Sequence, residues 1–275
     1  MKSIYIYLTL LLSVLFTGCE EVVDVKTDTA PPRLVVDASL NWEKGTSGHE
    51  QMIKLTMTTN FFDNIPPAVS GAAVSVTDGN GTLYEFIETP GTGQYVCSSF
   101  DPQIGQSYTL TIVHNGRTIT ATETMMPVPA IDYIAQETIP GIENEEDQVQ
   151  IKAYFTDNGA TNDYYLIRFQ SSVTAIPEYF AIDDEFFQGN QVFGLYLNED
   201  LRANGLLGVR LSGISERYFH YMEKLISIAY GGGPFATPSG VLRGNLINTT
   251  NPDDYVLGYF NVSETSSQVY TVSPF

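Results

Sequence analysis

The sequence predicts a mainly β protein, in which an antiparallel β-sandwich is followed by a second β-rich domain with one docked α-helix. Three observations lead to this prediction. From Arg33 onward, apolar and polar residues alternate in short runs, which is the two-residue period of half-buried strands. Turn residues rich in Gly and Asn separate these runs. A single stretch, after Ser215, places apolar residues at helical spacing.

The first half contains the clearest strand patterns. Alternation is strict in Ile53–Met57 and Ala72–Thr77, and Asp78–Gly81 is a turn signal. Asn115-Gly116 then predicts a tight hairpin. Strands at this spacing, joined by Gly-rich turns, indicate a sandwich domain over residues 33–127.

The second half is predicted to be a β-rich domain at 148–275, after a linker at 128–147. Two prolines close together in Met125–Pro129 cannot continue a central strand, because proline lacks the backbone donor. The predicted strands of this domain are Val149–Phe155, Tyr164–Val173, Val192–Leu197, Leu206–Leu211 and Tyr255–Val262.

The helix is expected near residues 215–230. Ser215 is a suitable N-cap, and Gly231 and the residues after it end the helix. We expect its apolar stripe to pack in the core. The stripe consists of Tyr218, Tyr221, Met222, Leu225, Ile228 and Ala229.

The amino terminus has the organisation of a secretion signal, predicted at residues 1–18. Lys2 supplies a positive charge before the apolar run Ile4–Phe16. That run is shorter than the roughly 20 residues needed to cross a bilayer. The residues Leu15–Cys19 resemble a bacterial lipobox, which implies cleavage before Cys19 and its modification by acyl chains such as palmitate. Each buried methylene contributes about 0.8 kcal/mol, so several chains anchor a protein stably.

Residues 19–32 are predicted to be a lipidated tether. They contain few large apolar residues and end in Ala30-Pro31-Pro32. Glu20 and Glu21 resemble the export signal that sends Bacteroidetes lipoproteins to the cell surface. The expected location is therefore the outer membrane, lipid-anchored and exposed at the surface, with a periplasm-facing position as the alternative.

The formal net charge of −19 excludes a nucleic-acid partner, because such binding depends on Lys and Arg. It also argues against electrostatic adhesion to anionic lipid, so a lipid anchor is the expected link to the membrane. Once Cys19 is modified, Cys97 has no disulfide partner. We expect Cys97 to be a small buried hydrophobic residue.

No catalytic or cofactor-binding motif occurs in the sequence. The three histidines lack metal-ligand spacing, and no nucleophile elbow or Cys-x-x-Cys is present. The acidic run Asp183–Glu185 is the densest carboxylate group, and we interpret it as solvated charge rather than a glycosidase pair. The prediction is a protein that is not an enzyme and has no cofactor.

The loop at 157–163 allows two interpretations. Asp157, Asn158 and Asp163 group oxygen ligands as calcium sites do, but the EF-hand spacing and its closing glutamate are missing. Asx and Gly residues also build ordinary turns. We predict a turn and no metal, with calcium as the open alternative.

Three segments of the first half are similar to the transthyretin-like or immunoglobulin-like accessory domains of bacterial surface proteins. They are Gly71–Val74, Gly93–Tyr95 and Gly105–Tyr108. Such domains serve as spacers and docking modules, so the resemblance implies a role in interaction.

A second resemblance covers nearly the whole chain and rests on the order of several short motifs. In addition to the lipobox, these are Leu34–Val36, Phe155–Asp157, Asp163–Tyr165, Tyr218–Leu225, Gly233–Phe235, Gly244–Asn248 and Leu257–Phe260. In this order they resemble the DUF4249 family of Bacteroidetes outer-membrane lipoproteins. The resemblance implies association with a TonB-dependent outer-membrane receptor and supplies no catalytic residues.

The expected function is therefore a non-enzymatic accessory lipoprotein that docks on, or presents ligand to, such a receptor. The alternative is a surface module that binds glycan or another polymer without a receptor. Aromatic residues would stack on sugar rings there, yet Trp42 is the single tryptophan. The expected contact loop combines flexible glycines with one aromatic residue, and it consists of Gly231, Gly232, Gly233, Pro234 and Phe235.

Overall fold

The computed structural model describes residues 31–60, 63, 65–141, 148–231 and 240–275. Within these ranges the chain forms fifteen strands and one helix, α1 (Glu216–Tyr230). The strands are β1 (Leu34–Glu43), β2 (Gln51–Met57), β3 (Ala73–Asp78), β4 (Leu83–Thr89), β5 (Gln94–Cys97), β6 (Ser107–His114), β7 (Arg117–Thr124), β8 (Ile131–Ile139), β9 (Gln148–Thr156), β10 (Tyr164–Ser171), β11 (Glu178–Asp183), β12 (Gln191–Leu197), β13 (Leu206–Ile214), β14 (Ile247–Asn248) and β15 (Leu257–Thr271).

The first seven strands enclose one apolar core between two layers. Strands β1, β2 and β5 form one layer, and β3, β6 and β7 form the other. Strand β4 belongs to both, because Leu83–Phe86 pair with β3 and Ile87–Thr89 pair with β5. The alternate residues of the two layers face each other, as the period-two pattern predicted. Cys97 lies in this core as a free, buried thiol, which confirms the interpretation of that residue.

The hairpin between β6 and β7 forms at the predicted dipeptide. Asn115 and Gly116 have φ angles of 48° and 74°. Both residues therefore occupy the left-handed region that a two-residue hairpin turn requires, which Asn and Gly tolerate best. The turn brings His114 opposite Arg117 and fixes the register of the two strands.

The second half forms another pair of layers. The three-stranded sheet β12-β9-β8 faces β10, β13 and the end of β15 across a core rich in Phe, Tyr and Leu. Strand β8 lies inside the segment 128–147, which the sequence analysis treated as a linker. Most of its residues are exposed or only partly buried, so its alternation of apolar and polar residues is weak. This explains why the pattern failed to predict a strand there.

Strand β15 connects the two halves. Its residues 257–265 pair in parallel with β1, and residues 265–271 pair with β13 in antiparallel fashion. Twelve strands thereby form one continuous sheet. The last strand contributes Phe260 and Val262 to the core of the first half and Val272 follows it into the core of the second. The domain boundaries at 127 and 148 stay a prediction.

A buried carboxylate stabilises this junction. Glu264 is 6% exposed, and it accepts hydrogen bonds from the backbone N–H of Val128 (3.0 Å) and from Nζ of Lys44 (2.8 Å). A charge that leaves water needs such partners, because its desolvation is costly. Glu264 therefore ties Val128, which lies between Pro127 and Pro129, to the shared sheet.

Helix α1 begins and ends where the sequence predicted. The Oγ of Ser215 accepts a hydrogen bond from the backbone N–H of Tyr218 (3.2 Å), and the N–H of Gly231 donates to the carbonyl of Ser227 (2.8 Å). These contacts satisfy terminal backbone groups of the helix. In the part of the chain that the structure describes, no helix combines the length and apolarity needed to cross a membrane. Mainly β architecture with one docked helix confirms the predicted fold class.

Candidate functional site

Several predicted site residues lie outside the described part of the chain. These are Cys19, Glu20, Glu21 and residues 232–235 of the expected contact loop. Gly231, the first residue of that loop, is described and forms the C-terminal cap of α1. The lipidation and export predictions therefore stay predictions, and the site is built from the residues around α1 and from one cluster of acids.

The cluster of acids joins two segments that the sequence analysis treated separately. Asp157 follows β9, Asp163 precedes β10, and Asp184 follows β11. All three side chains are buried, with 5%, 7% and 5% of their surface exposed. One carboxylate oxygen from each lies within 4.8 Å of the others. The sequence analysis interpreted the run Asp183–Glu185 as solvated charge. For Asp184 this interpretation was wrong, because its side chain is buried.

Hydrogen bonds from the chain hold each of these carboxylates. Asp157 accepts from the phenol of Tyr165 (2.5 Å) and from the backbone N–H of Gly189 (2.7 Å). Asp184 accepts from the backbone N–H of Asp163 (2.8 Å). The Asp163 carboxylate accepts from the Oγ1 of Thr161 (2.8 Å), so the predicted turn is built around this residue. The cluster fastens the β9–β10 connection of the second half to the β11–β12 connection.

Burial and mutual repulsion oppose the simultaneous ionisation of the three carboxyl groups. Burial and repulsion by the carboxylates of Asp157 and Asp184 raise the pKa of Asp163, although the bond from Thr161 opposes this shift. Burial raises the pKa of Tyr165 as well, which keeps its phenol a donor toward Asp157. Among the described residues, no Lys or Arg forms an ion pair with any of the three acids.

Chemically, Asp157, Asp163 and Asp184 are the described residues that could hold a hard divalent cation, since they offer oxygen ligands. The amide nitrogen of Asn158 donates to the Oγ1 of Thr161 in the exposed part of the turn (3.2 Å). The sequence analysis missed Asp184 as a member of this group, because 21 positions separate it from Asp163 and only strand pairing brings them together. Calcium binding stays the open alternative to a turn held by hydrogen bonds.

The apolar stripe of α1 is buried only along its first half. Tyr218, Phe219 and Met222 pack against β10 and β15. Leu225 and Ile228 are 38% and 42% exposed, so the expectation that the whole stripe packs in the core was wrong. Apolar surface therefore remains exposed along the second half of the helix.

Three grooves border this part of the molecule. One, of about 510 Å³, lies between α1 and β11 and is lined mainly by Tyr179, Phe180, Ile226 and Tyr230. A second, of about 680 Å³, lies between the second half of α1 and residues 240–243. The third, of about 410 Å³, lies between α1 and the segment that precedes β14, and we call it the α1 groove. Its lining residues are Glu216, Arg217, His220, Tyr221, Lys224, Leu242, Arg243, Gly244 and Tyr259.

Close backbone packing forms one wall of the α1 groove. A Cβ atom on Gly244 would lie 1.9 Å from the carbonyl oxygen of Gly258, and a Cβ on Gly258 would lie 1.9 Å from that of Val36. Asn245 bonds reciprocally to the backbone of Phe260, at 2.8 and 2.9 Å. Two of the motifs behind the family resemblance are thus the residues that shape this wall.

A stack of three side chains, Arg33, Tyr255 and Arg243, links this wall to the residue that precedes β1. The guanidinium groups of Arg33 and Arg243 lie 3.7 and 4.1 Å from the centroid of the Tyr255 ring. Arg33 directly precedes β1, so the polypeptide that leads out of the amino-terminal end of β1 begins beside the α1 groove.

The fold and this surface define a class: over the described ranges, a mainly β protein whose two layered halves share one sheet and whose helix α1 borders open grooves. The chain belongs to the family described as "Domain of unknown function (DUF4249)", whose model matches residues 20–269. This confirms the family prediction made from the sequence. The lipoprotein setting of that prediction is a separate statement and stays a prediction.

Comparison with solved structures finds proteins of low similarity. A segment of two fibronectin type-III domains from chicken tenascin is 15% identical, with a TM-score of 0.21, and the match covers 66% of this chain and 90% of that one. The FN1–FN3 domains of chicken CNTN1 are 14% identical (TM-score 0.24; 69% and 64% covered). A DUF4785 family protein from Legionella pneumophila is 10% identical (TM-score 0.25; 66% and 52% covered). The chain thus spans about two thirds and half of these last two proteins, and no curated protein matches it.

Proposed function

We propose that this protein is a non-enzymatic, lipid-anchored accessory protein of the outer membrane that docks on a TonB-dependent receptor and presents ligand to it. The observation that supports this most directly is the half-exposed apolar stripe of α1. Leu225 and Ile228 are exposed in the second half of the helix, at the end that leads into the expected contact loop, and Ile228 lines one of the grooves beside it. Apolar surface of this kind is typical of protein interaction sites.

The position of this surface favours a partner in the same membrane. The tether predicted at residues 19–32 joins the folded chain at Arg33, and Arg33 contacts Tyr255 beside the α1 groove. A lipid on Cys19 would be at most about 50 Å of extended chain from that point. A membrane-embedded receptor is therefore the class of partner that this end of the molecule would meet first.

The absence of an activity is part of the proposal. Among the described residues, three of the buried acids gather in one cluster, and Asp157 uses both of its oxygens to accept bonds from Tyr165 and Gly189. A general acid or nucleophile instead needs an oxygen that can reach a substrate. This arrangement supports a structural role for the cluster.

Recovery of partners from native membranes tests the proposal. A tagged full-length chain should recover a TonB-dependent barrel after mild detergent extraction, and the double substitution Leu225→Glu/Ile228→Glu should reduce that recovery at least about tenfold. Charged groups in an apolar contact lose their hydration without gaining a partner. The matched control is Ile87→Glu, because Ile87 is an exposed apolar residue of β4 far along the chain from the helix.

Unchanged recovery in the α1 variant would refute docking through this surface. Recovery of no barrel by the unmodified chain, together with retained binding to surface polysaccharide, would favour the alternative, a module that binds glycan without a receptor. Measurable turnover that Asp184→Asn abolishes would contradict the non-enzymatic assignment.

A further inference from the structure

The α1 groove concentrates positive charge on a strongly acidic protein. The chain has 13 Lys and Arg residues against 32 Asp and Glu residues. Three of these 13 cations, Arg217, Lys224 and Arg243, line this one groove together with His220. Such a local reversal of sign attracts anions and repels cations, in contrast to the field of the whole molecule.

Among the described residues, Arg217 is the one of these three cations that forms an ion pair with an acid. Arg217 donates to the carbonyl of Thr122 (2.5 Å) and lies 3.5 Å from a carboxylate oxygen of Glu123. Within the described ranges, neither Lys224 nor Arg243 forms an ion pair. Both are exposed, so their charge is available to a ligand.

Two acids of the helix share this surface without pairing with its free cations. Glu216 lines the α1 groove, and Glu223 lines an adjoining groove with Lys224. Both carboxylates contact the ring nitrogens of His220, at 3.8 and 3.1 Å, and among the described residues neither forms an ion pair with Lys224 or Arg243. The segment 232–239, which follows α1 in the chain, contains no acidic residue.

Stacking orients Arg243 without cancelling its charge. Its guanidinium lies 4.1 Å from the centroid of the Tyr255 ring, and Arg33 lies on the same ring at 3.7 Å. A stacked guanidinium keeps its N–H donors free at the edge of the plane, where they can bind a carboxylate or sulfate. Arg243 is therefore a preorganised donor.

Aromatic rings supply the complementary apolar side of the groove. Tyr221 and Tyr259 both line it, with their ring centroids 4.8 Å apart. Their ring faces suit a sugar, which presents C–H groups on one face and hydroxyl groups around its edge. The volume of about 410 Å³ lies within the range of small-ligand pockets.

From these contacts we infer that the α1 groove binds an acidic saccharide, with its carboxylate or sulfate group held by Lys224 and Arg243 and its ring against Tyr221. The inference rests on the proposed function, because it names the class of ligand that the accessory protein would present. Lys224 and Arg243 also line an adjoining groove of about 680 Å³ together with Ile228. Ligand binding is therefore measured on the purified protein, and receptor docking is measured separately by recovery from membranes.

Calorimetric titration of the full-length chain in neutral detergent tests the inference. The probes are a galacturonic acid trisaccharide, a sulfated galactose trisaccharide and the neutral galactose trisaccharide. We expect both acidic probes to bind at least about tenfold more tightly than the neutral one, and their affinity to fall as the salt concentration rises. Lys224→Gln/Arg243→Gln should remove this preference.

The matched control is Lys54→Gln/Arg210→Gln, which changes the net charge by the same amount outside the groove. It should retain the preference for acidic probes. If the groove variant fails to fold, Lys224→Glu alone, at an exposed helix position, should still weaken the acidic probes.

Equal affinity for acidic and neutral probes, binding of none of them, or an acidic preference that survives in the groove variant would each overturn the inference. If a receptor is recovered from membranes while the acidic preference is absent, the inference fails and the proposed function stands. If acidic probes bind through Lys224 and Arg243 while no receptor is recovered, the proposed function fails and the groove remains an acidic-saccharide site.

Discussion

Two charged regions of the molecule, the aspartate cluster and the α1 groove, have opposite relations to water. Asp157, Asp163 and Asp184 are buried, and the surrounding chain supplies their hydrogen-bond donors. Lys224 and Arg243 are exposed and have no ion-pair partner among the described residues. Charge that is buried and satisfied serves the fold, whereas exposed charge without a partner is free to bind ligand.

The largest expected effect concerns the rigid wall of the groove. Gly258→Ala should destabilise the protein by about 3 kcal/mol, because residue 258 has a φ of 98° and its new Cβ would meet the carbonyl of Val36. Urea unfolding measures this loss. The control Gly81→Ala also has a positive φ, of 88°, but no atom within 4 Å of a Cβ, and it should cost about 1 kcal/mol. Equal losses in both variants would show that the wall is not tightly packed.

The next effect tests whether the aspartate cluster serves the fold. Asp157→Ala should cost about 2–3 kcal/mol in the free energy of unfolding, because the buried phenol of Tyr165 and the N–H of Gly189 lose their acceptor. Chemical denaturation of Asp157→Ala and of the exposed control Asp253→Ala measures the difference. A loss as small as that of the control, within about 0.5 kcal/mol, would contradict a structural role.

A smaller effect concerns the pH dependence of stability. The folded-state pKa of Asp163 is raised above its ordinary value of 3.8, so the folded state binds this proton more tightly than the unfolded chain does. The resulting stabilisation is complete below 3.8 and is lost as the pH rises through the folded-state pKa. Asp163→Asn should therefore lose less stability than the unmodified protein between about pH 4 and pH 7.

Thermal unfolding of both proteins in the presence of EDTA measures that difference. A steeper loss in Asp163→Asn would contradict the raised pKa. An increase in Tm on adding calcium, present in the unmodified protein and absent in Asp184→Asn, would instead show that a cation relieves the repulsion among the three carboxylates.

The smallest effect is expected in the groove. Lys224→Gln/Arg243→Gln should change the free energy of unfolding by less than about 0.5 kcal/mol, because neither charge has a partner to lose within the described chain. Urea unfolding under the conditions of the ligand titration provides the measurement. A loss of about 2 kcal/mol or more would equal the cost of removing a hydrogen bond to a charged group. Such a loss would show that Lys224 and Arg243 stabilise the fold, as the aspartate cluster does.

Local sequence was sufficient wherever the structure depends on neighbouring residues. Ser215 and Gly231 predicted both ends of α1, and Asn115-Gly116 predicted the hairpin, since caps and turns are formed by residues a few positions apart. Strand β8 was missed because an edge strand with little buried surface carries a weak period-two signal. The exposed second half of the α1 stripe was missed for a related reason: periodicity shows that a helix has an apolar face, but not how much of that face a sheet will cover.

Short-range patterns and the order of motifs were sufficient to predict the β class, helix α1 and the family of this protein. They could not predict which charges meet in space. Strand pairing carries Asp184 to Asp163, and the packing of Gly244 against Gly258 carries Arg243 to the helix that bears Lys224. Such convergence depends on contacts between distant parts of the chain, and a one-dimensional pattern does not record them.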